Sequence, residues 1–286
     1  MDSPDLAASS HERALEALAR INRLSLTASR VWSEVRRRAG GTGRPFRVLD
    51  IACGGGDVAV SLKVRALRAG LDVDVSGCDV SPRAVEYARR RAADGGVDVT
   101  FFQLDAVADP IPPGYDLLCS SLFLHHLPEE DAVGFLAKLA RSGPAVLVQD
   151  LLRTRAGYLL AWVTVRTITR SRVVRVDGMR SVESAYSWDE VEHLARRAGM
   201  EGAQLRRCWP QRFSLAWTPP RAPRGSRTPR APIPLEDSPT VRRGMRSWLG
   251  PAPRARWRHW SCPAAVGGSS CWSARCFPVG RYAAPP

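Results

Sequence analysis

The sequence has no pair of cysteines two residues apart, and its seven cysteines do not combine with histidine at a zinc-binding spacing. Neither a metal centre nor a disulfide framework is expected. Cys53, Cys78 and Cys119, each near the end of an apolar run, read as small core residues. The first twenty residues, MDSPDLAASSHERALEALAR, lack the apolar stretch of a secretion signal. The longest apolar run, Ala156 to Val165, is too short to cross a bilayer. Membrane insertion is therefore not expected, and a cytoplasmic location is. No internal repeat is visible. Lysine is almost missing, with Lys63 and Lys138 set against 40 arginines, which points to GC-rich coding DNA.

What is there is an uneven distribution of charge. Of the net charge of +14, ten belong to residues 219–286, which hold twelve arginines against Glu236 and Asp237. The other 218 residues carry only +4. The same tail holds 13 of the 22 prolines and no useful apolar periodicity, so it is expected to be disordered. Its Arg/Pro/Ala/Trp mixture is also what a shifted reading frame in GC-rich DNA would produce. A basic tail suits RNA, but the near-neutral remainder counts against a nucleic-acid partner.

Upstream of the tail, helical spacing over 11–39 predicts one or two amphipathic helices, and residues 1–43 read as a helical cap. From there strands and helices alternate. Strands are expected at 46–52, 73–79, 97–105, 115–124 and 144–150, with helices at 57–70, 81–93 and 128–142. Ser81 before Pro82 marks one helix start. Ser187 with Glu190 forms a capping box for another, and two late strands fall near 201–208 and 211–217. The expected fold is α/β: a Rossmann-like doubly wound sheet, mostly parallel with a C-terminal antiparallel strand and an N-terminal helical cap. The domain spans 44–218, interrupted by an insertion at 151–186.

Ligands of such sheets bind beyond the carboxyl ends of the strands. Those ends carry Asp50, Asp79, Asp105, Ser120 with Ser121, and Asp150. After the first strand comes VLDIACGGGD, three glycines bracketed by acids. A pyrophosphate prefers a helix N-terminus without fixed anions beside it. The glycine spacing through Ala59 still admits a dinucleotide, with Asp79 on its ribose, and an NAD(P)-dependent oxidoreductase stays open as an alternative. A ligand with a cationic end and a ribose diol but no phosphate, such as S-adenosylmethionine, suits the acids better.

The series VLDIACGGGD, GCDVS, FFQLDA and YDLLCSSLFLHHL resembles the class I S-adenosylmethionine-dependent methyltransferases, particularly small-molecule members of the ubiquinone and menaquinone biosynthesis type. The resemblance covers about 46–150. Ala52 stands where the family's first motif glycine would be, which is expected only to loosen the turn. The resemblance implies a cofactor site of Asp50, Ala52, Cys53, Gly54 and Gly56 in the loop. To these it adds Asp79 and Val80 at the ribose, Asp105 and Ala106 at adenine, and Ser120 at the methionine moiety. The implied partner is a small methyl acceptor, an aromatic, quinol or polyketide-type oxygen or carbon nucleophile. RNA methylation through the basic tail is the rival within the same fold, and the lack of an Asn-Pro-Pro-Tyr-like tetrapeptide after the fourth strand counts against it.

LFLHHLP supplies candidate bases, His125 and His126, with His126 favoured for lying nearer the loop. The insertion 151–186 falls where such enzymes build a substrate lid. Tyr158, Leu159, Leu160, Trp162 and Val163 either line an apolar pocket or pack on the sheet.

Overall fold

Apolar runs alternating with amphipathic stretches assemble into one seven-stranded sheet with helices on both faces. The structure, a computed structural model, describes residues 26–40, 43–168 and 172–220. The expectations for 1–25 and for the tail from 221 onward lie outside these residues. The elements are α1 (Thr27–Ala39), β1 (Phe46–Ile51), α2 (Asp57–Arg68), β2 (Val73–Asp79), α3 (Pro82–Asp94), β3 (Thr100–Gln103) and β4 (Leu117–Ser121). A 3-10 turn at Leu124–His126 follows, then α4 (Glu129–Ser142), β5 (Val146–Leu151), α5 (Arg155–Ile168), α6 (Arg172–Ser184), α7 (Trp188–Arg197), β6 (Gln204–Cys208) and β7 (Arg212–Trp217). Strand order is β3-β2-β1-β4-β5-β7-β6, so the order reverses between β1 and β4. Strands β1 to β5 pair in parallel, while β7 runs antiparallel between β5 and β6. The expected doubly wound sheet is what forms.

The strands are apolar on both faces because both are covered. Leu49, Ile51, Leu118, Val146, Val148 and Phe213 pack against Phe135, Leu136 and Leu139 of α4 and Val191 and Leu194 of α7. Val48, Val75, Leu117 and Leu147 face the other way, onto Val31 and Val35 of α1, Leu62 of α2 and Ala88 of α3. Helix starts follow local chemistry. The Ser81 Oγ accepts from Ala84 N at 3.3 Å, with Pro82 at the first helical position. Ser187 and Glu190 complete the reciprocal capping box of α7.

Two strands are shorter than their apolar runs. β3 ends at Gln103 rather than at 105, because the Asp105 carboxylate accepts the N–H groups of Val107 and Ala108 and turns the chain away. β4 ends at Ser121 rather than at 124, because Leu122 takes a left-handed conformation (φ 59°) and the 3-10 turn begins. The insertion supplies α5 and α6, which pack on one another, and α6 also meets the 3-10 turn. No helix among the described residues is long and apolar enough to cross a membrane.

Candidate functional site

The loop between β1 and α2 lies at the point where strand order reverses. Ala52, Gly54 and Gly56 have φ of 55°, 52° and 70°. Gly56 is dictated by space as well as by φ. A Cβ there would meet Phe101 Cζ at 2.7 Å and Ala88 Cβ at 2.8 Å. At Ala52 the expectation of a looser turn is corrected. The residue adopts the left-handed conformation a glycine would take, so the turn stays tight and alanine costs about 1 kcal/mol.

The loop is tied to its neighbours. The Gly54 N–H donates to Asp79 Oδ2 at 2.8 Å, and the Ser81 N–H donates to Asp79 Oδ1 at 2.9 Å. The Gly56 N–H donates to the Cys53 carbonyl, and the Cys53 N–H to that of Cys78, both at 2.9 Å. Arg91 of α3 donates to the Gly55 carbonyl at 3.0 Å. A pyrophosphate would find the N–H groups of Gly54 and Gly56 already committed and Asp57 opening the helix, so the dinucleotide reading loses its physical basis. A carboxylate oxygen can accept more than one hydrogen bond, which is what a ribose diol would require of Asp79.

Asp50, at the carboxyl end of β1, is 2% exposed. Its Oδ1 meets the Cys119 thiol at 3.8 Å, and its Oδ2 has no hydrogen-bond partner. Burial drives its carboxyl up to about 8, and the charges of Asp57 and Asp79 add to the effect. The fixed negative end expected from the sequence is therefore a protonated acid at neutral pH, ready to ionise when a cation stands against it. Burial likewise pushes the Cys53 and Cys119 thiols well up, and they behave as core residues.

Along the same edge, Val80 is exposed and Ala106 buried. Lys138 of α4 fixes the corner after β3 by donating to the carbonyls of Ala106, Val107 and Asp109 at 3.1, 2.6 and 2.7 Å. Neither Lys138 nor Arg91 is identifiable from the sequence, because each holds a distant backbone carbonyl and follows no motif. Ser120 is buried, and its Oγ has no partner.

The two histidines differ. His126 is exposed, whereas His125 is 5% exposed, its ring 4.1 Å from that of His126 between centroids. His125 Nδ1 lies 2.6 Å from Asp150 Oδ1, and its backbone N–H donates to Asp150 Oδ2 at 3.1 Å. Burial works to raise the Asp150 carboxyl, but the His125 ring and the N–H groups of Leu151 and His125 hold it below the usual carboxylate range. The tautomer that suits a carboxylate at Nδ1 leaves Nε2 as the ring's acceptor. Tyr186 closes this corner. It is buried, and its hydroxyl donates to the Leu127 carbonyl at 2.7 Å. Of the insertion's apolar residues, Tyr158, Leu159, Trp162 and Val163 are between 43% and 64% exposed, and Leu160 is half-buried. Arg153 pairs with Glu190 at 2.6 Å.

Reversed strand order, a left-handed glycine loop at the reversal and acids at the neighbouring strand ends together define a doubly wound nucleoside-binding fold. Comparison with known proteins narrows the class. Residues 48–142 match the methyltransferase domain family. The ubiquinone biosynthesis O-methyltransferase of Cupriavidus pinatubonensis is 30% identical over 163 residues, 56% of this chain and 62% of that protein. The demethylmenaquinone methyltransferase of Thermus thermophilus is 37% identical over 108 residues, 37% of this chain and 47% of that protein. The O-methyltransferase family 2 protein of Planctomyces limnophilus, solved in complex with apigenin, superposes with a TM-score of 0.54 at 17% identity, over 76% of this chain and 63% of that one. Residues 48–142 thus carry a methyltransferase domain, set in a doubly wound sheet. The chain spans less than two thirds of the length of the first of these curated relatives.

Proposed function

We propose that this protein transfers the methyl group of S-adenosylmethionine to an oxygen or carbon nucleophile of a small aromatic, quinol or polyketide-type molecule. The observation that carries the reading is the buried Asp50 carboxyl beside the glycine loop, one oxygen without a partner and its proton retained at neutral pH. Such a group is costly unless a cation meets it. When bound, the cofactor supplies an electrophilic methyl on a sulfonium.

The loop Ala52, Cys53, Gly54 and Gly56 would bring its backbone close to the methionyl end, and Asp50 would ionise against the positive charge. Asp79 and Val80 would meet the ribose, Asp105 and Ala106 the adenine, and Ser120 the methionine moiety. Residues 44–218 form the catalytic unit in this reading, with 1–43 as cap, 151–186 as lid and 219–286 as an accessory tail.

The base in this reading is His125. Its Nδ1–H is tied to Asp150, so Nε2 can take the proton of a phenol or quinol as its oxygen becomes methylated, and Asp150 stays paired with the imidazolium that results. Holding acceptor and donor in line supplies most of the rate. The names of the quinone-pathway relatives support a quinol-type acceptor. The test is transfer of a labelled methyl group to a panel of phenols, quinols and bulk RNA. Label in a phenol or quinol supports the proposal, and label in RNA alone overturns it.

A further inference from the structure

Five buried side-chain polar atoms among the described residues have no hydrogen-bond partner: Asp50 Oδ2, Ser120 Oγ, Ser121 Oγ, Gln149 Nε2 and Arg212 Nε. All stand toward the carboxyl ends of β1, β4 and β5 or at the start of β7, whose antiparallel direction brings its first residue to that same edge. Pairing register puts four of them on one face. Asp50 stands beside Cys119, Ser121 beside Gln149, and Leu151 beside Arg212. Cys119 and Ser121 are two apart on β4, as are Gln149 and Leu151 on β5, and side chains two apart share a face. Ser120 belongs to the opposite face.

Asp50 is accounted for by the methyl donor, but Gln149 and Arg212 are not. Gln149 is 2% and Arg212 3% exposed. Arg212 Nη1 donates to the Thr27 hydroxyl of α1 at 2.8 Å. Burial pulls the guanidinium down to about 10, partly offset by the charge of Asp150, so it remains a cation at neutral pH. A buried guanidinium with an unused Nε–H, diagonal across the β5–β7 pairing from a buried amide with unused N–H groups, is a donor pair matched to an anionic oxygen.

We propose that Arg212 and Gln149 form a subsite for a carboxylate carried by the methyl acceptor, which makes them specificity-determining residues. The proposal rests on the methyl-transfer reading above. The cofactor's own carboxylate does not fit. It belongs to the methionyl end, placed above at the Asp50 loop after β1, whereas β7 is three strands away in the order β1-β4-β5-β7. At about 4.8 Å per strand that separation is roughly 14 Å. An acceptor placed past the methyl donor, over β4 and β5, would extend to Arg212.

The experiment uses the full chain loaded with S-adenosylhomocysteine, and reads the thermal unfolding midpoint with 2,4- and 3,4-dihydroxybenzoate or their methyl esters as probes. The free acids are expected to raise the midpoint more than the esters. Arg212→Gln and Gln149→Leu should each weaken acid binding about tenfold or more and leave ester binding alone. Equal action of acid and ester on the wild type, or no action of the acids, overturns the proposal without need of a variant, should Arg212→Gln fail to fold. If Arg212→Gln loses affinity for S-adenosylhomocysteine but keeps that for 5′-methylthioadenosine, the anion held is the cofactor's, and the proposal is likewise overturned. Calorimetry of S-adenosylhomocysteine with the wild type reports on the methyl-transfer reading separately. Binding there, together with equal action of acid and ester, removes only the subsite.

Discussion

At the level of single residues, the glycine loop is tied to the Asp79 carboxylate, and the buried Asp50 carboxyl ends the strand before it. Asp50, raised from 3.8 to about 8 chiefly by burial, binds its proton more tightly folded than unfolded. Its contribution to stability is therefore fully present below about pH 4 and is lost as pH rises toward 8, by up to about 1.4 kcal/mol per pH unit. Denaturant unfolding of wild type and Asp50→Asn at pH 5 and pH 8 should show the slope in the first and a smaller slope in the second. Affinity for a cationic ligand should run the other way, rising about tenfold per unit up to pH 8 as ionisation becomes easier. Ala52→Gly should raise stability by about 1 kcal/mol by removing left-handed strain, measurable as a shifted denaturation midpoint at unchanged slope. His125→Ala should lower turnover by about 10²–10⁴-fold with cofactor affinity unchanged, and His126→Ala should do far less. Turnover assays of both variants decide between the rings. Asp50, Asp79 and the glycines were legible because local spacing marks them. The His125–Asp150 pair was not, because it joins residues 25 apart, and a 3-10 turn decides which of two adjacent rings goes inside.

Elements were more legible than contacts. Alternating apolar runs and capped helices disclosed the doubly wound order, since strands covered on both faces read as continuous apolar stretches. The same continuity hid where strands stop. The run from Tyr115 to Leu124 carries no mark that Leu122 will turn left-handed, and VDVTFFQLD none that Asp105 will fold back on Val107 and Ala108. The insertion's two helices reach the histidine turn through α6 and through Tyr186, whose hydroxyl bonds the Leu127 carbonyl. Tyr186→Phe leaves that partly buried carbonyl without its donor and should cost about 1 kcal/mol of stability. If the insertion positions the turn for catalysis, kcat should fall while cofactor affinity holds. Denaturation and steady-state kinetics on the same preparation separate the two effects.

Along the whole sequence, charge is unevenly distributed. The basic tail holds most of the net charge, while the strand ends concentrate acids and the five partnerless polar atoms at one edge of the sheet. Strand order and loop geometry put the candidate site at that edge. The central claim is that it binds S-adenosylmethionine through Asp79 and the Asp50 loop. Titration calorimetry of the full chain tests this most directly. One site for S-adenosylhomocysteine is expected, with affinity reduced on the order of 100-fold in Asp79→Ala. Binding of NADH in its place, or an Asp79→Ala protein with undiminished affinity, would contradict the account.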